Sequence, residues 1–398
     1  MHSLHLMGAY MRHNWPRTSF NVLLFAVGAA LVALVLGLGS QFEHNLSRNL
    51  HGIDMVVGAK GSPLQLVLSA VLQADVPTGN ISLKDAEALQ ANPMIRSAVP
   101  VALGDNIASY RIVGTTPDYA ALYHGELAEG RMFKASMEAV LGADVAAKLG
   151  LQVGQKFVGS HGLTPGGEVH EFAPYSVVGI LKPSGTVMDR LVLTPVDSVW
   201  YVHENDTDTP VEARPKAENR EVTALLVKFA SPLAVVSLPR FINKNTTMQA
   251  ASPAFEAMRL RKVLGVGSAA ITAVGFVIVA LSGLSLLITS AEAVRQRLYD
   301  IALMRCFGAS PSKVLRLVVM EGLVISLTGA LLGVMLAEIG MRAAAGRVLD
   351  GQLSVAQGLP LGLYAGVVGG TVLLGVVGSL LPALRIYRMS LPKLLAGK

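Results

Sequence analysis

Four long apolar stretches constrain what this chain can fold into. Residues 18–42, 263–291 and 351–384 carry no acidic or basic side chain over 25, 29 and 34 positions, and 317–337 is interrupted only by Glu321. About 20 apolar residues suffice to cross the hydrocarbon core of a bilayer. The chain has 398 residues, of which only 15% are charged, against roughly a quarter in soluble domains. The sequence therefore predicts a membrane protein with four transmembrane α-helices.

The first apolar stretch also resembles a secretory signal peptide, because it follows basic residues. It is longer than the apolar region of such peptides, about 7–15 residues, and lacks a small-x-small cleavage site before Glu43. We expect it to remain as a transmembrane helix. Glycines 329 and 333, and 362, 366 and 370, have the spacing that lets helices approach closely, either between the third and fourth spans or across a dimer seam.

Lysine and arginine are distributed unequally among the connecting segments. Five lie in 291–316 and four follow residue 384, but only two lie in 340–360. The excess of positive charge on cytoplasmic loops predicts that both termini are cytoplasmic and that residues 43–262 lie outside. The predicted transmembrane spans are 18–42, 263–291, 317–340 and 359–384. On the cytoplasmic side we expect an interfacial helix over 1–17 that ends near Pro16, a helix and corner at 292–316 and a tail at 385–398. On the external side we expect a domain at 43–262 and a short loop at 341–358.

The external segment 43–262 differs in composition from the rest of the chain. Strand-like runs such as SYRIVGT and YSVVGIL alternate with helical stretches such as EAVLGADVAAKLG. About 220 residues are enough to bury a core. We therefore expect a large α+β domain between the first and second helices.

The cytoplasmic stretch between the second and third spans has an apolar stripe. Leu298, Ile301, Met304 and Phe307 recur at every third position among charged residues. Gly308 is a helix stop, and Ser310 followed by Pro311 is a start signal for the next helix. Such a short amphipathic helix can anchor to lipid, dock a partner or simply be a solvated loop helix.

The same stretch carries a family resemblance. Residues 297–334 read RLYDIALMRCFGASPSKVLRLVVMEGLVISLTGALLGV, which resembles the hallmark of the FtsX-like permease domain shared by MacB and the lipoprotein-releasing permeases LolC and LolE. Asp300, Ala302 and Cys306-Phe307 depart from the usual Glu, Gly and Ala-Leu. The tail PALRIYRMSLPKLL, the entry GAYMRHNWPRTSFNVLLFAVGAALV and the external run EGRMFKASMEAVLGADVAAKLGLQVGQKF are similar to other parts of the family in the same order.

The resemblance implies a permease subunit of an ABC transporter of the mechanotransmission (type VII) class, in the bacterial inner membrane, with a MacB-like periplasmic domain. Its partners would be a cytoplasmic ABC ATPase, a second permease subunit, membrane lipid and a possible periplasmic protein. The cargo would be external or in the outer leaflet: a lipoprotein, peptide, hydrophobic toxin or haem-like molecule. An FtsX-like signal relay to a periplasmic partner is the alternative. The residues implied to contact the ATPase are Leu298, Asp300, Ile301, Met304, Arg305, Phe307, Gly308, Ala309 and Ser310.

Motifs for catalysis are missing from the sequence. There is no G-x-x-x-x-G-K-[ST] loop, so ATP and Mg²⁺ are expected on a separate ATPase and no cofactor is expected on this chain. No G-x-S-x-G or H-E-x-x-H motif points to an enzyme. Basic residues cluster beside apolar runs rather than on one domain, which argues against a nucleic-acid partner.

Polar residues in two places invite a functional interpretation. His161, His170 and His203 lie near acidic residues in polar loops, and imidazole with carboxylate suits zinc. Their spacing in the sequence matches no compact metal site. A third hypothesis, based only on these histidines, is that the protein is a component of a zinc homeostasis system. Glu321 enters the membrane near Arg316 and Arg297, and a contact there favours a structural role over a proton relay.

Overall fold

The structure is a computed structural model, which describes residues 3–162, 167, 169–204, 219–296, 303, 306, 310–347 and 360–388. The chain forms two compact units: a membrane unit, Met1–Phe42 with Val263–Lys398, and a sheet domain, Glu43–Lys262. The helices are α1 (Ser3–His13), α2 (Trp15–Leu50), α3 (Pro63–Ala70), α4 (Leu83–Gln90), α5 (Asp118–Leu122), α6 (Ala143–Leu149), α7 (Val196–Glu204), α8 (Ala234–Asn245), α9 (Pro253–Gln296), α10 (Pro311–Arg347) and α11 (Leu361–Arg388).

The described strands all lie in the sheet domain. They are β1 (Met55–Ala59), β2 (Ile81–Ser82), β3 (Ile95–Ile107), β4 (Tyr110–Thr115), β5 (Leu127–Gly130), β6 (Glu138–Leu141), β7 (Lys156–Phe157), β8 (Ser160–His161), β9 (Tyr175–Leu181), β10 (Leu191–Pro195), β11 (Glu221–Val222), β12 (Ala224–Phe229) and β13 (Met248–Ala251).

Four helices are long and apolar enough to cross a membrane, which confirms the predicted number of spans. They are α2, α9, Leu315–Ala343 within α10 and Leu361–Leu384 within α11. The helices continue beyond the apolar stretches, because helical hydrogen bonding does not require lipid around it. Charged side chains occupy the continuations of α2 and α9, where Arg261 pairs with Glu43 at 2.7 Å. Pro16 lies in the first turn of α2, where its missing N–H costs no hydrogen bond.

Small residues allow the membrane helices to approach closely. A Cβ built on Gly333 of α10 would lie 2.8 Å from the Ala29 Cβ of α2, so the glycine pair predicted to join the third and fourth spans packs instead against the first. Contact between α10 and α11 is made at Gly322 and Gly375, each of which faces a serine of the other helix. Spacing alone identifies a small-residue face but not the helix that covers it.

The sheet domain is built on one long strand. In the described residues an eleven-stranded sheet has the order β13-β1-β12-β3-β4-β10-β6-β9-β5, with β7 on β9 and β8 on β3. The first half of β3 pairs antiparallel with β12, and its second half pairs antiparallel with β4. Helices cover the faces of the sheet and bury separate apolar clusters around Leu66, Leu238 and Val145. The α+β prediction is confirmed.

Candidate functional site

The three histidines singled out in the sequence converge on one buried carboxylate. His161, His170 and His203 surround Asp105, which lies near the end of β3. Asp105 was not predicted from the sequence, because it is 56 residues from the nearest of these histidines in the chain and lies in an apolar run. We call Asp105 with the three histidines the His–Asp cluster.

Two features of β3 position Asp105. The register between β3 and β4 shifts between Leu103 and Asp105, so Gly104 is an extra residue in β3. Such a β-bulge bends the strand and redirects the side chain that follows it. Asp105 then pairs directly with His161 of β8, which places both side chains at one position across the two strands.

A network of backbone hydrogen bonds holds His161 and His170 beside β3. The Gly162 N–H donates to Gly104 O at 2.8 Å, and the His170 N–H donates to Gly159 O at 2.9 Å. Asn106, which is buried, donates from Nδ2 to Gly162 O at 2.9 Å. His161 is therefore held beside β3, and His170 is tied to Gly159, the residue that precedes β8.

His203 reaches the cluster from a helix. It lies in the last turn of α7, which packs on β3, β4 and β10. A Cβ at Gly104 would lie 2.7 Å from its Nε2 atom, closer than such contacts are made. The glycine thus leaves the space into which the imidazole of His203 enters.

The donor atoms of the cluster lie close to a single carboxylate oxygen. Asp105 Oδ1 is 3.5 Å from His170 Nε2, 3.8 Å from His161 Nδ1 and 3.8 Å from His203 Nε2. The side chains of Asp105 and His170 are 1% and 4% exposed, whereas His203 is 25% and His161 58% exposed. The cluster is buried on the His170 side and open to solvent on the His161 side.

Asp105 is a costly group to bury as it stands. Within the described residues neither of its carboxylate oxygens accepts a hydrogen bond. The phenol of Tyr175 lies nearby, and burial, with a smaller contribution from the Asp105 charge, raises its pKa above the usual value. The tyrosine therefore remains a neutral phenol beside the carboxylate.

Asp105, His161 and His203 form a potential cation site. One ligand atom from each lies within 4.8 Å of the other two. Two imidazoles and a carboxylate are a donor set that zinc and related ions use.

The predicted ATPase contact falls almost entirely outside the described residues. Leu298, Asp300, Ile301, Met304, Arg305, Phe307, Gly308 and Ala309 are among the residues that the structure does not describe. Ser310 is described: it directly precedes α10, which begins at Pro311, and the Lys313 N–H donates to its carbonyl at 3.0 Å. The role of this segment stays a prediction.

Glu321 and a buried asparagine mark a polar region inside the membrane unit. Glu321 and Arg17 line a small cavity of about 30 Å³ between α2, α9 and α10. Beside it Asn21, which is buried, donates to Thr289 Oγ1 at 3.1 Å and accepts from Ser285 Oγ at 2.9 Å. This link between α2 and α9 was not predicted from the sequence, although a lone asparagine within an apolar span is the kind of residue that forms such contacts.

Two family models match the chain in order. The MacB-like periplasmic core domain matches residues 18–238, which is more than half of the chain, and the FtsX-like permease C-terminal domain matches residues 272–391. Both matches fit the arrangement of one span, a sheet domain and three further spans.

Curated relatives are distant but extend over most of the chain. The pyoverdine export ATP-binding/permease protein PvdT of Pseudomonas savastanoi pv. phaseolicola is 25% identical over 94% of this chain and 56% of its own length. The macrolide export ATP-binding/permease protein MacB of Bdellovibrio bacteriovorus is 23% identical over 94% of this chain and 58% of its own. The lipoprotein-releasing system protein LolC of Neisseria meningitidis serogroup B is 23% identical over 62% and 59%. The chain thus spans little more than half the length of these relatives.

Among solved structures, the periplasmic region of MacB from Actinobacillus actinomycetemcomitans aligns with a TM-score of 0.35 and 12% identity, over 54% of this chain and 95% of that one. The extracellular domain of YknZ from Gram-positive bacteria aligns with a TM-score of 0.32 and 14% identity, over 50% and 99%. The order of the two matched models and the four spans make the chain a member of the FtsX/MacB-like family of ABC transporter permeases.

Proposed function

We propose that this protein is the permease subunit of an ABC transporter in which ATP hydrolysis on a partner ATPase drives movement of the sheet domain. The observation that carries the proposal is the pair of family models, which match the sheet domain and the last three spans in the order found in the family. Permeases of this family are not catalytic themselves. ATP and Mg²⁺ would therefore bind to an ABC ATPase that these 398 residues do not contain.

The route of the movement is proposed from the continuity of the helices. α9 is unbroken from Pro253 to Gln296, which at 1.5 Å per residue is about 66 Å, twice the thickness of a hydrocarbon core. The segment 297–310 follows it directly, and we assign this segment to contact with the ATPase. A displacement there would be transmitted along α9, because a helix is stiff over this length.

A second helix would move with α9. Asn21 of α2 is hydrogen-bonded to Thr289 and Ser285 of α9 within the membrane unit. In the sheet domain, the ends of the same two helices are joined by the Glu43–Arg261 pair. Each contact is modest by itself, but together they couple α2 and α9 at both levels.

Orientation, partners and cargo follow from the same proposal. Both termini and residues 291–316 would be cytoplasmic in a bacterial inner membrane, because positive charge is concentrated there. A second permease copy or homologue would complete the transporter. The match of the sheet domain to the MacB-like core favours transport of an external or outer-leaflet cargo over an FtsX-like relay. Relatives are named for pyoverdine and macrolide export, and a peptide or hydrophobic toxin is the corresponding cargo class.

The proposal is tested by measuring how the permease stimulates the ATPase after a substitution in segment 297–310. One substitution reverses a charge, and the other introduces a proline. We expect Arg305→Glu or Gly308→Pro to abolish both co-purification of the ATPase and the effect of the permease on its ATP hydrolysis. The matched control is Arg342→Glu, which reverses a charge at the opposite end of α10, where Arg342 forms an exposed pair with Glu338. Unchanged ATPase stimulation in Arg305→Glu, or equal loss in Arg342→Glu, would contradict the proposed coupling.

A further inference from the structure

We propose that Asp105, His161 and His203 bind a divalent transition metal ion of the zinc type, and that His170 positions the Asp105 carboxylate from its buried side. The inference goes beyond the proposed function, because neither the matched families nor the named relatives assign a metal to this domain. It rests on the arrangement of the His–Asp cluster. It would hold whichever cargo the transporter carries.

The separations between donor atoms favour a metal over hydrogen bonds. Nitrogen-to-oxygen hydrogen bonds in proteins are about 2.7–3.2 Å long, and the three distances to Asp105 Oδ1 are 3.5–3.8 Å. Two ligand atoms bound to one zinc ion at bond lengths of about 2.0–2.2 Å are about 3.4 Å apart at the tetrahedral angle. For the proposed ligands, the distances from Asp105 Oδ1 to His161 Nδ1 and to His203 Nε2 are both 3.8 Å, about 0.4 Å wider than in a zinc site. All three ligand atoms lie within 4.8 Å of one another, so the side chains would move inward to bind an ion.

The charge of Asp105 supports the same assignment. A buried carboxylate without hydrogen bonds is unfavourable unless a positive charge is nearby. In the described part of the chain, the ion-pair partners of Asp105 are the three histidines, and no lysine or arginine is among them. A dication bound between the carboxylate and the imidazoles would supply the missing charge.

The donor types and their exposure indicate which ion could bind and how it would enter. Imidazole nitrogens favour zinc, copper, nickel and iron, whereas magnesium and calcium prefer oxygen ligands. His161 is 58% exposed and His203 25%, so the ion has direct access from solvent. Three protein ligands leave a fourth position for water or for a donor from another molecule.

His170 is assigned a positioning role because of its place in the cluster. Of the three imidazole nitrogens, its Nε2 is the nearest to Asp105 Oδ1. It does not belong to the group of ligand atoms of Asp105, His161 and His203 that lie within 4.8 Å of one another. Outer-shell partners that orient ligands typically contribute 10–100-fold to metal affinity. Loss of His170 should therefore weaken the site without removing it.

The experiment uses the full chain, purified in detergent with an affinity tag that contains no histidine and stripped with a chelator. Zn²⁺ is titrated by calorimetry, and bound metal is counted by elemental analysis after gel filtration. We expect one zinc ion per chain, no displacement by excess Mg²⁺, and a Co²⁺ complex with the visible absorption of tetrahedral coordination. Asp105→Asn and His203→Gln should each lower the affinity at least tenfold.

Further variants separate a built site from general histidine binding and from misfolding. His161→Gln changes a side chain that is 58% exposed, so among the cluster variants it should disturb the fold least, and an unchanged unfolding temperature would assign its loss of affinity to the lost ligand. His170→Gln should keep the stoichiometry and the Co²⁺ spectrum while lowering affinity by about 10–100-fold. The matched control is His51→Gln with His124→Asn, a histidine pair of the same domain whose rings are 6.1 Å apart. Asparagine is chosen because His124 has a φ of 53°.

The zinc-binding measurements test the metal site independently of the transport proposal. Stoichiometric zinc that is lost in His161→Gln and retained in the control supports the site. Absence of stoichiometric binding, binding that survives both Asp105→Asn and His161→Gln, or equal loss in the control would overturn it. None of these measurements involves the ATPase, so a failure here leaves the transport proposal intact, and the reverse also holds.

Discussion

The side chain of Asn49 links the end of α2 to the core of the sheet domain. We predict that replacing Asn49 destabilises this domain. Its Oδ1 accepts the Val187 N–H at 2.8 Å, and its Nδ2 donates to Asn45 O at 2.8 Å. The loop that presents Val187 is itself organised by Asp189, which accepts from the N–H groups of Ser184 and Gly185. Asn49→Ala would therefore detach the loop from the helix.

The magnitude follows from these contacts. Asn49 is buried, and its replacement by alanine removes two hydrogen bonds and leaves the Val187 N–H without its partner. The cost of such a change is about 1–3 kcal/mol. For a unit of this size 1 kcal/mol shifts the unfolding temperature by about 2–4 °C. We expect Asn49→Ala to lower the unfolding temperature of the sheet domain by about 2–12 °C.

The assay exploits the two tryptophans of the chain, Trp15 and Trp200. In a Trp15→Phe background the fluorescence reports only Trp200, whose indole N–H donates to Glu221 O at 2.8 Å in the sheet domain. The matched control is Asn45→Ala, one turn earlier on α2, because its Nδ2 makes no hydrogen bond to any described residue. All variants are heated at the same rate, since unfolding of a membrane protein in detergent is seldom reversible.

Two outcomes would refute the reasoning. An Asn49→Ala variant that unfolds within about 1 °C of the parent would show that the link to Val187 contributes little stability. An Asn45→Ala variant that is destabilised as strongly would show that the effect comes from altering the helix end in general.

Two further predictions concern the sheet domain and the membrane unit. The hydrogen bond from Arg131, then that from the Lys134 N–H, lowers the pKa of Glu138 from 4.5 to about 2. This stabilisation is present above the unfolded pKa and is lost as the pH falls from about 4.5 to about 2. Glu138→Gln should therefore be less stable than the parent by roughly 1–2 kcal/mol at pH 7. In a pH series of unfolding temperatures, the difference between the two proteins should vanish near pH 2. Gly333→Leu should destabilise the membrane unit by about 1–3 kcal/mol through overpacking against α2, measured as earlier unfolding in a detergent titration. Gly366→Leu is the control, because a Cβ added at Gly366 would meet no atom within 4 Å, and it should not destabilise the unit.

The features that the sequence predicted are those encoded locally. Spans are recognised because lipid demands about 20 consecutive apolar residues, and α10 begins at Pro311 because Ser-Pro is a start signal within the chain itself. The α+β character of residues 43–262 follows from the alternation of strand and helix patterns. Each of these predictions depends only on residues that lie close together in the sequence.

Features that depend on long-range pairing were not predictable in this way. The sequence contains three histidines with no compact spacing. The fourth member, Asp105, is identified only because β8 pairs with β3 and α7 packs on β3. The covering helix of Gly333 was assigned wrongly for the same reason. A signal for the cluster existed in the run VALGDNI, where a glycine and an aspartate interrupt an apolar strand. It indicated a bulge or a buried polar site without naming the partners.

The His–Asp cluster joins parts of the domain that are far apart along the chain, and this gives metal binding a mechanical consequence. Asp105 belongs to β3, His161 to β8 and His203 to α7, so one ion would cross-link a central strand, a short neighbouring strand and a covering helix. An ion that binds only the folded domain stabilises it by about 2.7 kcal/mol when its concentration is 100 times the dissociation constant. That stabilisation would act on α7, which also packs against β4 and β10. If movement of the sheet domain is the output of the transporter, metal occupancy would set how rigidly this domain responds to its helices.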